Sequence, residues 1–190
     1  ARALYKYPQR EFPYEELRAL ARSRTRSDPS PRILDTNAFD EDRYFDLEVE
    51  YAKAAPEDVL VRVTVTNRGP ERARIDVLPT FWFRNTWTWS DGAPGRPPSR
   101  PELRAAYGDG EGGPQIEGTE AFHGKIQIWL DGAKELLFTE NETNTALLYG
   151  APNRSAYVKD AFHAYVCKGQ RSAVSPARAG TKAAGRFTID

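Results

Sequence analysis

At 190 residues, with 27 Lys and Arg set against 27 Asp and Glu and a formal net charge of +0, the chain offers no long-range field to a nucleic acid or an anionic membrane. It is long enough to bury roughly 70% of the surface its unfolded form exposes, so it can fold without a disulfide or a metal. The single cysteine, Cys167, can make neither an internal bridge nor a multi-thiolate metal site and points to reducing, cytoplasmic surroundings; no apolar run approaches the roughly 20 residues of a membrane-spanning helix, and mean hydropathy is -0.67.

The chain starts at Ala1 and contains no Met, so it reads as a fragment or processed piece of a longer protein. After Tyr5-Lys6-Tyr7-Pro8, the segment from Pro13 to about Ser23 is expected to be a short surface helix. Pro13 suits the first position, Glu15 and Glu16 occupy the first turn, and Tyr14, Leu17, Leu20 and Ala21 form the apolar stripe. Residues 1–43 form an extended and helical lead-in, and the basic run Arg22 to Arg32, followed by Asp40-Glu41-Asp42, reads as a solvated linker.

From Tyr44 the period changes to two. Phe45, Leu47, Val49 and Tyr51 alternate with Asp46, Glu48 and Glu50, and Val59, Val61, Val63 and Val65 alternate with Arg62, Thr64 and Thr66. These are two strands with one wet face each, linked through residues 54–58. Asn67-Arg68-Gly69-Pro70 is expected to turn the chain into a third strand, Arg74 to about Asn85, completing an antiparallel meander. Pro79 would leave a bulge or an unpaired backbone position in that strand, because proline cannot donate to a ladder. Further along the same extended segment, Phe81, Phe83, Trp87 and Trp89 fall on one face and Trp82, Arg84, Thr86 and Thr88 on the other. Aromatic side chains on both faces predict a strand covered on both sides; a sugar-stacking platform is the alternative.

Residues 91–101 and 108–114 are turn-rich loops around a short Leu103 to Tyr107 piece, and neither glycine cluster has phosphate-binding spacing. Lys125 to Leu130 and Glu135 to Thr139 are expected to pair as a hairpin through Asp131-Gly132, with Ile126, Ile128 and Leu130 inward and Trp129 outward. A short helix over Glu142 to Tyr149 ends at Gly150, with Asn141 and Asn144 in capping or turn roles. A second helix, capped by Ser155 and ended by Gly169, carries Tyr157, Val158, Ala161, Phe162, Tyr165 and Val166 on one face, and a strand from Ala184 to Ile189 closes the chain. The fold class expected is mainly β, a single antiparallel β-sandwich over 1–190 with a few helical insertions.

The chemistry-bearing residues are few. Glu140 and Glu142 invite a glycosidase reading, but residues two apart cannot straddle a sugar ring from opposite sides. His123 and His163 stand far apart with no acidic or thiol partner at ligand spacing, so no metal site is expected. No Gly-x-Ser-x-Gly motif is present, and Cys167 sits at the wrong end of its helix for a lowered pKa. The sequons at Asn141 and Asn153 are read as chance matches.

The strings Leu34-Asp35-Thr36, Phe39-Asp40-Glu41-Asp42-Arg43-Tyr44-Phe45-Asp46, Glu50-Tyr51-Ala52-Lys53-Ala54, Asn67-Arg68-Gly69-Pro70, Trp82-Phe83-Arg84-Asn85-Thr86-Trp87, Phe138 to Asn144, Tyr157 to His163 and Gly180 to Ala184 lie in order along nearly the whole chain. Together they resemble the non-catalytic amino-terminal region of bacterial glucosidase-like proteins of glycoside hydrolase family 63. The resemblance implies a β-sandwich preceding an (α/α)6 barrel that holds both catalytic carboxylates, so no catalytic residue, metal or cofactor carries over to this chain. It also implies a sandwich that begins upstream of Ala1, leaving a sheet edge open to another copy.

The function expected is therefore a supporting domain of an α-glycosidase, with the catalytic barrel of the same parent protein as partner. Trp82, Arg84, Asn85, Trp87, Trp89, Glu140 and Asn141 are the residues expected to contact that barrel or a substrate. A carbohydrate-binding module, with Trp87 and Trp89 as platform and an oligosaccharide as ligand, is the alternative. A free-standing hydrolase using Glu140 or Asp160 is the third reading.

Overall fold

The period-two run from Tyr44 to Asn67 folds back on itself: Tyr44–Ala55 (β2) and Asp58–Asn67 (β3) pair antiparallel from Phe45↔Asn67 to Ala55↔Asp58. The structure is a computed structural model that describes residues 1–88, 100–107, 113–121 and 123–190. Residue contacts divide the chain into two compact units, Ala1–Arg74 with Asp190, and Ile75–Ile189.

In the first unit the third strand is not the one the turn at Asn67-Arg68-Gly69-Pro70 suggests. Arg2–Pro8 (β1) pairs with the free side of β2 from Arg2↔Glu50 to Pro8↔Tyr44, giving the order β1-β2-β3. Rows such as Tyr5↔Leu47↔Val65 and Ala3↔Val49↔Val63 make one face largely apolar, with Lys53 and Asn67 at its two ends. The other face carries the pairs Arg2–Glu48, Lys6–Asp46 and Arg62–Glu50, with Leu4 and Leu60 among them. Tyr14–Ser23 (α1) is the expected surface helix and buries no residue completely. The run 22–32 is largely exposed, as a solvated linker should be.

Asp46 is the one charged side chain buried in this unit, at 8% exposure. It accepts from Lys6 Nζ at 2.8 Å and from Arg68 Nε at 2.7 Å. The Lys6 bond, seconded by Arg68, holds its carboxyl below the usual carboxylate range. A depressed native pKa contributes stability that is complete above the unfolded value of about 4 and is lost as pH falls through the native one. Urea titrations at pH 2 to 7 should therefore show Asp46→Asn less stable than the parent by a constant margin above about pH 4, the margin closing in acid. A margin that does not narrow below pH 4 would show that the carboxylate's charge is irrelevant.

The second unit is organised by its last strand. Lys182–Ile189 (β11) pairs on one side with Ile75–Val77 (β4) and Thr80–Trp82 (β5), and on the other with Glu135–Thr139 (β9). The pairs Phe187↔Val77 and Ala184↔Thr80 share one register. Pro79 thus interrupts the ladder without a bulge, and its carbonyl still accepts from Gly185 N at 3.3 Å. The extended segment ends at Trp82 rather than near Asn85, and it belongs to this sheet rather than to a meander with β2 and β3.

A second sheet is built from Glu102–Tyr107 (β6), Pro114–Glu120 (β7) and Gly124–Trp129 (β8), with Ala179–Gly180 (β10) along β6, in the order β10-β6-β7-β8. Phe81, Phe83, Leu136, Phe138, Ala183 and Phe187 from the first sheet meet Leu103, Ile116, Ile126, Ile128 and Leu130 from this one in a single core. Two antiparallel sheets share one apolar interior, so the mainly β, sandwich-type class with helical insertions holds. Trp129 points outward as expected. The expected hairpin does not form. Asp131-Gly132 does turn, with Ala133 N donating to Leu130 O at 3.0 Å, but Lys134 N then donates to Arg186 O, handing the chain from β8 in one sheet to β9 in the other.

The outer face of the β11 sheet is covered by Ala161–Lys168 (α3), whose Phe162, Tyr165 and Val166 pack with Leu137, Ala184 and Leu78. This helix begins five residues later than the Ser155 cap suggests, its cap position falling at Asp160. Its would-be first turns are bonded elsewhere: Lys159 N donates to Glu142 O, and Val158 O accepts from Thr139 Oγ1. Gly169 and Gly150 end α3 and Thr145–Tyr149 (α2) in the left-handed conformation, each at φ 67°. Asn144 caps α2 by accepting from Leu147 N at 3.1 Å.

Candidate functional site

Thr181 stands where the chain crosses from one sheet to the other. Gly180 pairs with Leu103 in the second sheet, whereas Lys182 pairs with both Trp82 and Thr139 in the first. Buried at this crossing, the Thr181 hydroxyl donates to Glu140 Oε2 at 2.7 Å and accepts from Asn141 N at 2.7 Å. Glu140 Oε2 also accepts from Thr181 N at 3.1 Å and lies 2.6 Å from Arg100 Nη2. The segment after β9 is thereby fastened to the crossing point.

Asn141 extends the same knot. Its Nδ2 donates to Phe83 O at 2.9 Å and its carbonyl accepts from Asn85 Nδ2 at 2.9 Å. Trp87 packs its ring against the sandwich core and donates Nε1–H to Glu142 Oε1 at 2.8 Å. Glu142 is 8% exposed. The structure therefore brings together Asn85, Trp87, Glu140, Asn141 and Glu142 of the residues singled out in the sequence. It adds Thr181 and Arg100, which the sequence reading did not single out as site residues. Arg84 sits exposed beside it, and Trp89 lies outside the described residues.

Trp82 is separate in character. It pairs with Lys182, so both side chains rise from the α3 face of the sheet, and its ring is 54% exposed. Lys182 leans toward α3, with Nζ donating to Lys159 O at 2.6 Å and lying 5.1 Å from the Phe162 ring centroid. Burial lowers its pKa, and the nearby Asp160 carboxylate opposes that shift. Asp160 itself accepts from Asn144 Nδ2 at 3.0 Å.

Two cavities lie elsewhere among the described residues. A cavity of about 410 Å³ is lined by Gln9, Arg10, Asn37, Asp40, Glu41 and Arg43, and one of about 310 Å³ by Glu135, Tyr165, Val166, Gly169, Arg171 and Arg186. The second is cross-braced: Arg186 donates to Asp76 at 2.8 Å and Glu135 at 2.7 Å, and Tyr165 donates to Glu135 at 2.7 Å, which raises the phenol pKa. Neither cavity is lined by Glu140, Glu142 or Asp160. His123 pairs with Glu120 at 2.9 Å, and His163 is exposed on α3. Among the described residues no three His, Cys, Asp or Glu side chains gather as a metal site, and no helix is long and apolar enough to cross a membrane. Cys167 is exposed and unbridged.

The chain is similar to an uncharacterized protein of Saccharomyces cerevisiae, YMR196W, at 32% identity over 214 aligned residues. That match takes in 96% of this chain but 19% of the yeast protein, so the chain spans about a fifth of its relative. No family model matches the chain, and no solved structure matches it.

Proposed function

We propose that the chain is a non-catalytic supporting domain of a larger glycoside hydrolase of the family 63 type, bond cleavage being left to an (α/α)6 barrel elsewhere in the same polypeptide. One observation carries this reading. The two acids of the Thr139 to Asn144 segment are occupied as structural acceptors, Glu140 by Thr181 and Arg100, Glu142 by Trp87. A glycosidase needs one carboxyl group free to protonate the leaving oxygen and another free to activate water or attack carbon. The partial span of the yeast relative accords with a domain that works inside a longer protein. The balanced charge argues against nucleic acid as a partner, and the lone Cys167 favours a cytoplasmic setting.

The exposed Trp82 supports a second reading, a carbohydrate-binding module. An indole face beside an ammonium group and a nearby carboxylate is the combination of apolar platform and placed polar groups that a pyranose ring uses. One preparation tests both. Incubated with aryl α-glucosides and maltooligosaccharides, the purified chain should release no sugar; turnover that scales with chain concentration and disappears in Glu140→Gln would reject the supporting role. Tryptophan fluorescence titrated with the same oligosaccharides should stay flat, whereas saturable quenching abolished by Trp82→Ala would establish the module instead.

A further inference from the structure

The cavity of the first unit is lined by polar groups that the fold itself leaves unused. Beyond Pro8 the pairing of β1 with β2 runs on by one bond, from Gln9 N to Arg43 O at 2.9 Å, which sets Gln9 and Arg10 against the turn Asp40–Asp42 that leads into β2. Buried Ala38 anchors the stretch before that turn, and the Phe39 ring meets Tyr44 edge-on at 5.7 Å. The space enclosed, about 410 Å³, lies within the range of about 300 to 1,000 Å³ that small-molecule sites occupy. In its wall Arg43 is committed to Glu41 and Glu71. The Asn37 amide and the Asp40 carboxylate are not: among the described residues neither makes a side-chain hydrogen bond or ion pair. Arg10 commits only Nη1, to Asn37 O at 3.2 Å, and Gln9 commits Nε2 to Asn67 and keeps Oε1 to spare. Glu41 and Asp42 are consecutive non-glycine residues in the left-handed conformation, at φ 59° and 55°, a strain that clusters where a loop holds a ligand.

We propose that this cavity binds an uncharged polyol of the size of a monosaccharide or disaccharide. Its unspent groups are a carboxylate that accepts hydroxyl protons, a guanidinium that donates to hydroxyl oxygens, and an amide that does both. Neighbouring hydroxyls of a sugar each offer one donor and one acceptor, so they need a mixed set of this kind. Charge narrows the choice further. In the lining Arg10 and Arg43 offset Asp40 and Glu41, and Asp42 and Glu71 alongside tip the balance negative, which turns away phosphates and carboxylates. The two guanidinium groups repel a metal ion, and no three acids gather there among the described residues. All the lining residues belong to the first unit, whereas the Glu140 knot and Trp82 belong to the second, so neither the supporting role nor the module built on Trp82 stands or falls with this site. All four tryptophans lie outside the first unit, so occupancy here leaves their fluorescence flat.

Amide-detected NMR of the whole labelled chain tests the site with glucose, mannose and maltose, each raised to roughly ten times the expected dissociation constant, and with inorganic phosphate as the charged control. At least one sugar should give saturable shifts in the side-chain amides of Gln9 and Asn37 and in the backbone around Asp40, with a dissociation constant on the order of 1 mM, while the indole N–H signals stay in place. Asp40→Ala should weaken binding at least about tenfold, the loss expected of a hydrogen bond to a charged group, and Asn37→Ala about three- to tenfold. Neither side chain is bonded inside the protein, so both variants should keep the parent spectrum of β2 and β3. Trp82→Ala should bind as the parent does. Absence of a saturable shift with all three sugars, a response to phosphate alone, sugar binding that ignores Asp40→Ala, or shifts gathered around Trp82 instead would each overturn the proposal.

Discussion

Gly180→Ala is expected to lower the melting temperature of the second unit by roughly 6 to 12 °C, which corresponds to about 3 kcal/mol at two to four degrees per kcal/mol for a chain of this size. A β-carbon at residue 180 would lie 2.9 Å from the Thr139 carbonyl carbon and closer still to its oxygen. Both obstacles are main chain, so no side chain can swing aside, and Thr139 is fully buried. Relief would need β9 to part from the point where the chain crosses between sheets, and that movement would break the Thr181 bonds to Glu140 and Asn141. Replacing glycine by alanine where the backbone tolerates it usually stabilises by about 0.4 to 1 kcal/mol. A neutral or stabilising outcome in thermal melts would show that the two sheets do not approach as closely as described.

The second large effect is expected at Trp87. Trp87→Ala removes a ring packed on Phe83 and its neighbours and also the donor to a nearly buried carboxylate, and should cost about 3 to 4 kcal/mol in urea unfolding. Trp87→Phe separates the two contributions, because it keeps most of the ring contact and strands Glu142. That variant alone should cost about 1.5 to 3 kcal/mol, the range for hydrogen bonds to charged groups. In a Glu142→Gln background the same change should cost less, since an uncharged amide suffers less from losing the donor. If Trp87→Phe proves silent, the indole N–H is not anchoring the knot, and the ring would be free to stack against a ligand.

What could be read in advance follows the range of the interactions involved. β2 and β3 announce themselves because alternation is local, and the end of α2 because Gly150 marks it; its start, expected at Glu142, falls at Thr145, since Glu142 is bonded instead to Trp87 and Lys159. Partner choice is not local. The expected third strand of the meander and the expected hairpin at Asp131-Gly132 both fail for one reason: β4, β5 and β9 all find their partner in β11, up to about a hundred residues away in sequence. β7 stays hidden because Pro114 and Gly118 look like turn residues, yet Gly118 is a strand position where Leu103 Cδ2 comes within 3.0 Å of where a β-carbon would be. The late start of α3 is a contest that tertiary hydrogen bonds win over a Ser cap. In the candidate site, the aromatic and acidic residues were visible as types. The fastening of Glu140 depends on Thr181, a residue with no signature of its own, and that of Glu142 on an indole more than fifty residues away in sequence.

Because β11 pairs with β4, β5 and β9, the second unit depends for one whole sheet on residues 182–189. During synthesis the first unit's strands are all available once residue 67 has left the ribosome, whereas β4 and β5 must wait for more than a hundred further residues to be made. At ribosomal speeds of about 5 to 20 residues per second that delay lasts some seconds or more. Throughout it, the backbone of β4 and β5 has no ladder to join, and Phe81 can pack only on the sheet of β6, β7 and β8.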